Sequence, residues 1–237
     1  MRRNKYFLVF LSALIFFSIV LGLMTRFSFK QEFSAEEILN KADQYAVSSN
    51  EDDSSYLAIY FDNNMENLSQ IKDKSNVIIK VKVTNDRQTY MSTTLSGVDV
   101  SEVYKGNGIK KGDHIYIYEP SSFFRSSYST MGGYNLMHRD SEYILFLKHL
   151  KIPEGYKYKG KEAISFMPVS TYYSKYPLNS NGNTRVIGKD ELKKGISYGV
   201  VKEFDLITEN VHNLEKYNAF KKEVLQNITG LSHPAPL

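Results

Sequence analysis

The sequence predicts an N-terminal transmembrane helix followed by an α+β ectodomain, a small antiparallel β-barrel flanked by an N-terminal and a C-terminal helix. Three observations carry this reading. An unbroken apolar run covers residues 6–24, short segments of period 2 recur between glycine-bearing turns from residue 77 onward, and helical spacing returns near the end.

In residues 6–24 every position is apolar, aromatic, Gly or Ser, with Tyr6, Phe7, Leu11, Phe16, Phe17, Leu21 and Met24 among the side chains that would face lipid. At about 1.5 Å per residue the run nearly crosses a hydrocarbon core of about 30 Å. A cleaved signal peptide is the rival reading, but it needs a shorter apolar region and a small-x-small exit, whereas this exit reads LGLMTRFSFK. An uncleaved single-pass anchor is favoured. Arg2, Arg3 and Lys5 outnumber Arg26 and Lys30, which keeps the N-terminus cytoplasmic and places the C-terminal bulk outside the cell membrane.

The formal charge of +4 is unevenly placed. Five of the 30 Lys and Arg and none of the 26 Asp and Glu lie in residues 1–30, so the rest of the chain carries 25 basic against 26 acidic groups. A neutral body argues against a nucleic-acid partner, which would demand an excess of cations on the fold. The absence of cysteine excludes disulfides, thiolate metal sites and cysteine nucleophiles.

The expected order is a basic tail (1–5), the anchor (6–24), a juxtamembrane segment with a short helix and a polar linker (25–55), the barrel domain (56–206), a C-terminal helix (207–230) and a tail (231–237). Ser34-Ala-Glu-Glu37 reads as a capping box opening a helix through Ala46, and the run from Ser48 to Ser55 as an exposed linker. Residues 56–61 are expected as a strand and 65–74 as a helix. Val77, Ile79, Val81 and Val83 alternate with Ile78, Lys80 and Lys82, as a half-buried strand requires. Residues 90–104 continue extended with a bulge at Gly97, 114–119 form the next strand, and 142–147 are apolar on both faces and therefore central. Residues 163–169, 184–187 and 196–201 are further strand candidates, and Val211, Leu214, Tyr217, Phe220 and Val224 trace the final helix.

Val103-Tyr-Lys-Gly106, Lys111-Gly-Asp113 and Tyr143-Ile-Leu-Phe-Leu147 together resemble the OB-fold-like barrels related to tissue-inhibitor-of-metalloproteinase and netrin modules, in the form found in membrane-anchored proteins of Gram-positive bacteria. The shared pattern spans about residues 68–150, and a Lys-, Asn-, Ile- and Tyr-rich composition agrees with such a source. The resemblance implies a fold and no reaction. The eukaryotic inhibitors reach their target's zinc with an N-terminal cysteine, which this chain lacks, so that activity is not carried over.

No HExxH, P-loop, G-x-S-x-G or dinucleotide motif is present, so no catalytic residue, metal ligand or cofactor is assigned. His138 with Arg139 and Asp140 is an acid/base-looking cluster, for which a solvated turn leading into the Glu142 strand is the favoured reading. Residues 121–141 carry a heavy apolar load for a connection of that length. Phe123, Phe124, Arg125, Tyr128, Tyr134 and Arg139 are the candidate partner-binding residues, unless these side chains fold back over the barrel end. A second group, Tyr156, Tyr158, Tyr172, Tyr173 and Tyr176, offers flat faces suited to sugars. The leading expectation is a membrane-anchored binding module presenting its barrel to a protein or peptide partner. The alternatives are an extracytoplasmic hydrolase of cell-wall or peptide substrates, with Glu119, Asp140 and Glu142 as nearest acids, and a structural subunit that docks its last helix on another chain.

Overall fold

The computed structural model describes residues 2–29, 41–50, 55–124, 126–180, 182–183 and 185–227. The capping box at Ser34, Arg125, Thr184 and His233 lie outside them. The chain divides into two units, residues 1–38 and 39–237.

The first unit holds α1 (Arg2–Phe29). Its stretch Lys5–Thr25, 21 residues of mean hydropathy 2.7, is long and apolar enough to cross a membrane or to act as a signal sequence. Tyr6, Phe7, Leu11, Phe16, Phe17, Leu21 and Met24 are all exposed on it.

In the second unit, β2 (Val77–Thr89), β3 (Thr94–Lys105), β4 (His114–Glu119), β7 (Glu142–His149) and β8 (Ser165–Pro168) close into a five-stranded barrel in the order β2-β3-β4-β8-β7-β2, compatible with an OB-like fold. Four of the junctions are antiparallel; the β4–β8 pair is parallel, so the barrel is mixed rather than purely antiparallel. Its interior follows the period-2 pattern, with Val77, Ile79, Val81 and Val83 of β2 meeting Val98, Ile117, Tyr143 and Leu145. The other face of β7, Ile144 and Phe146, lies in a second core with Leu68 and Ile71 of α3 (Leu68–Lys74) and Tyr217, Phe220 and Val224 of α6 (Val211–Asn227). Burial on both faces of β7 is what its continuous apolar run demands. The last helix therefore spends its apolar face inside its own domain: Leu214, Tyr217 and Val224 are buried and only Val211 is exposed, which removes the basis for a helix that docks elsewhere.

Between β4 and β7 lies a β-hairpin, β5 (Ser121–Phe124) and β6 (Ser127–Met131), where a long loop was expected. A strand β1 (Ala46–Asn50) pairs in parallel with β6, so residues 46–50 are neither helix nor linker. Among the described side chains of that strand Val47 is the buried apolar one; parallel pairing uses the backbone, which polar side chains do not betray. Residues 56–60 fall in helix α2 (Ser55–Tyr60) rather than a strand, because Leu57 and Phe61 just past its end, four apart, both find the core while Ile59 and Tyr60 stay exposed. Residues 196–201 likewise hold a short helix, α5 (Tyr198–Val201), which buries Tyr198 and Val201 three apart. The described residues of 184–187 form no strand. The irregularity expected at Gly97 falls on the opposite strand, where residues 84–86 bulge against it and the Thr84 hydroxyl donates to the Gly97 carbonyl at 3.0 Å. β9 (Lys175–Pro177), paired with β7, and α4 (Lys189–Lys193) complete the domain.

A candidate ligand cavity and a tyrosine-rimmed groove

The segment from Gly132 to Ser141 links the hairpin to β7 and is locked almost residue by residue. Gly132 and Gly133 turn with φ of +54° and +73°, the left-handed region that only glycine enters freely. The hydroxyls of Ser121 and Thr130 both donate to the Tyr134 carbonyl. Asn135 is enclosed: its amide nitrogen donates to the carbonyls of Val201, Lys202 and Phe204, and its oxygen accepts the Tyr128 hydroxyl at 2.8 Å. Glu119 accepts the Met137 N–H at 2.8 Å, Arg87 donates to the Met137 carbonyl at 2.6 Å, and the Tyr143 hydroxyl accepts the His138 N–H at 2.8 Å. Glu119 also takes the Ser96 hydroxyl at 2.5 Å, so three barrel strands converge on this one segment.

That scaffold holds one wall of a cavity of about 560 Å³, lined by Leu136, His138, Tyr143, Lys175, Glu203 and Asp205 among others, with Arg139 and Glu142 also on it. The volume lies in the range of small-ligand sites. On the same lining, Asp205 receives the Ser180 hydroxyl and the Lys221 ammonium, each at 2.6 Å. Lys175 is 5% exposed. Its ammonium donates to the Asn135 carbonyl and lies 4.6 and 5.6 Å from the ring centres of Tyr134 and Tyr143. Burial pulls its amine down to about 8 against the attraction of Glu119 and Asp205, with Arg87 and Lys221 adding to the fall. Burial, then Lys175, also lowers the His138 imidazole, while Glu203 opposes. The Tyr134 hydroxyl, buried with no hydrogen-bond partner among the described residues, is pushed well above the usual phenol value by burial and then by Glu119.

On a different surface, a mostly apolar groove of about 320 Å³ is lined by Tyr60, Phe61, Tyr118, Met131, Tyr158 and Met167. Tyr90 contacts Tyr118 and Tyr156 contacts Tyr158, with ring centres 6.3 and 5.4 Å apart. Met91, 72% exposed, stands next to Ser92 on the groove.

Of the residues the sequence nominated, Phe123, Tyr128 and Tyr134 are buried: Phe123 and Tyr128 pack with Tyr198, and Tyr134 lies under Lys175. Folding back over the scaffold accounts for them. Phe124 is 41% exposed, and Arg139 lines the cavity. Tyr172, Tyr173 and Tyr176 are core residues, whereas Tyr156 is exposed beside the groove. The acids differ in setting: Glu119 is enclosed, Asp140 is exposed in a left-handed turn (φ 60°), and Glu142 is 3.3 Å from Lys80. Among the described residues no group of three His, Asp or Glu side chains is placed to hold a metal ion. Sequence reasoning passed over Lys175, although a lone cation in STYYSKYP, surrounded by residues destined for a core, is a signal.

No protein-family model matches the chain, and no curated protein matches it at a significant level.

Proposed function

We propose that this chain is a membrane-anchored, extracytoplasmic binding module that takes a protein or peptide segment into the tyrosine-rimmed groove of its barrel domain. The groove carries the reading: tyrosine and methionine side chains line an open apolar concavity on a body of nearly neutral charge, the composition of partner-binding surfaces. An uncleaved α1 with a cytoplasmic N-terminus is supported by the basic residues that precede it. Membership of the tissue-inhibitor-of-metalloproteinase/netrin type is supported by the five-strand closure and by Val103–Gly106, Lys111–Asp113 and Tyr143–Leu147 falling on a strand end, a turn and a core strand. Composition supports a Gram-positive source.

The hydrolase alternative draws on the polar cavity, which His138 and Glu203 both line. It expects turnover of a wall or peptide substrate that ends with His138→Gln or Glu203→Gln.

A photo-crosslinking residue at position 158, used in native membranes, tests the binding reading. A single crosslinked protein or peptide that disappears with Tyr60→Ser/Tyr118→Ser, and persists with Phe124→Ser, is the expected result. Crosslinks lost instead with Phe124→Ser move the surface to the hairpin tip, and none at all sinks the reading.

A further inference from the structure

The polar cavity is lined by a buried cation, Lys175, that pairs with no carboxylate among the described residues. Lys175 is enclosed, and the carboxylates whose charge it feels are already engaged, Glu119 by Arg87, Ser96 and Met137, and Asp205 by Lys221 and Ser180. Among the described residues no carboxylate stands within ion-pairing distance of Lys175; what it has is the Asn135 carbonyl and the faces of two tyrosines. An ammonium has three donors, and a buried one left without an anion is costly. Replacement by a hydrophobic residue would avoid that cost, so retaining a lysine on a cavity wall calls for a partner from outside.

A second charge is set out for the same ligand. Glu203 lines the cavity, is exposed, and makes no ion pair among the described residues. Lys175, His138 and Glu203 all line this one cavity, and the two charges act on the His138 imidazole with opposite sign, Lys175 lowering and Glu203 raising it. The cavity thus offers a buried positive group and an exposed negative one on the same lining as His138, around a volume suited to a small molecule.

We propose that this cavity is a binding site for a small zwitterion of the amino-acid or short-peptide class, its carboxylate held by the Lys175 ammonium and its amine by the exposed carboxylate of Glu203. The site does not depend on the groove, and either can fail without the other. Arg139 and Ser141 extend the polar lining, and Leu136, Pro177 and Phe204 leave apolar surface for a side chain. A charge-assisted bond to a desolvated ammonium is the stronger kind, which makes the carboxylate the dominant recognition element.

The test uses the 237-residue chain in detergent and, as probes, each of the twenty amino acids, alanyl-alanine and the C-terminal amides of whichever bind, at millimolar concentration. Binding is read by calorimetry, and occupancy of the site by protection of Lys175 from acetic anhydride, followed by peptide mass spectrometry. At least one free-carboxylate probe should bind and protect Lys175. Its amide should bind about tenfold or more weakly, the expected effect of losing one charge-assisted bond. Lys175→Met should retain the fold and lose the affinity; if that variant does not fold, protection of the native lysine decides alone. Failure of every free-carboxylate probe to bind and protect, equal binding of acid and amide, or unchanged affinity in a folded Lys175→Met would overturn the proposal.

Discussion

Glu119 at the end of β4 and Arg87 on β2 lie 3.5 Å apart, and both hold the same peptide unit, the carboxylate taking the N–H of Met137 and the guanidinium donating to its carbonyl. The pair thus does more than balance charge. It ties the barrel wall to the segment that carries His138 into the cavity. The carboxylate is 0% exposed, so its desolvation has been met by hydrogen bonds rather than by water.

Removing one member should expose that cost. Glu119→Leu leaves a nearly enclosed guanidinium and an unbonded Met137 N–H, and about 3–5 kcal/mol of stability should be lost. Arg87→Met/Glu119→Leu should recover part of it, since an apolar pair leaves no orphan charge. Urea unfolding of the single and double variants measures both, and a double variant less stable than Glu119→Leu would refute the argument.

Lys175 gives the fold an unusual pH dependence. Its amine titrates near 8 in the fold and at 10.5 when free, so between those values the unfolded chain binds more protons and stability rises with pH. Below pH 8 both states are protonated and the full penalty, about 3 kcal/mol, is present. His138, also depressed, acts in the same direction lower down: its contribution is intact above 6.5 and is lost as pH falls toward its folded value. Stability should therefore climb from weakly acid to alkaline pH, and Lys175→Met should flatten the alkaline part. Unfolding midpoints from pH 5 to 10 decide it.

Two glycines separate conformational from steric strain. At Gly133 (φ +73°) an added Cβ would stand 2.6 Å from the Ile207 carbonyl oxygen, which is backbone, and the Ile207 N–H is itself tied to the Gly133 carbonyl at 2.8 Å, so it cannot yield cheaply. At Gly112 (φ +91°) nothing lies within 4 Å. Gly112→Ala should cost about 1 kcal/mol, the backbone effect alone, and Gly133→Ala clearly more, about 2–4 kcal/mol, with loss of the cavity wall that follows it. Equal losses in thermal melts would show that the contact with Ile207 relaxes.

Much of the barrel was legible because its strands carry their own evidence. Val77 to Val83 alternate, and Tyr143 to Leu147 are apolar throughout, as burial on one face and on both faces requires. Short segments were not legible: Leu57 and Phe61 satisfy a helix and a strand pattern equally over so few residues, and Ser48 and Ser49 pair through backbone alone. The cavity was hidden for a different reason. Glu119 and Arg87 are 32 positions apart and meet only through barrel register, while Lys175 and Asn135 are 40 apart and meet only when β9 joins β7. The aromatic richness of residues 121–141 was visible, but whether it faced in or out depended on the parallel strand β1, whose sequence is silent.

The anchor reading makes the last prediction. Along α1 the side chains of Phe7, Phe10, Leu14, Phe17 and Leu21 are all exposed, and water is a poor solvent for a helix that is apolar all round. In a bilayer the same surface is stabilising, and a central arginine costs about 2.5–3.5 kcal/mol on insertion scales. The wild-type chain should resist alkaline extraction from membranes and keep its first residues, as intact-mass measurement would show. Leu14→Arg/Phe17→Arg should shift a large share of it to the soluble fraction. A mature protein that begins after residue 24 would instead identify α1 as a cleaved signal, and the domain as released.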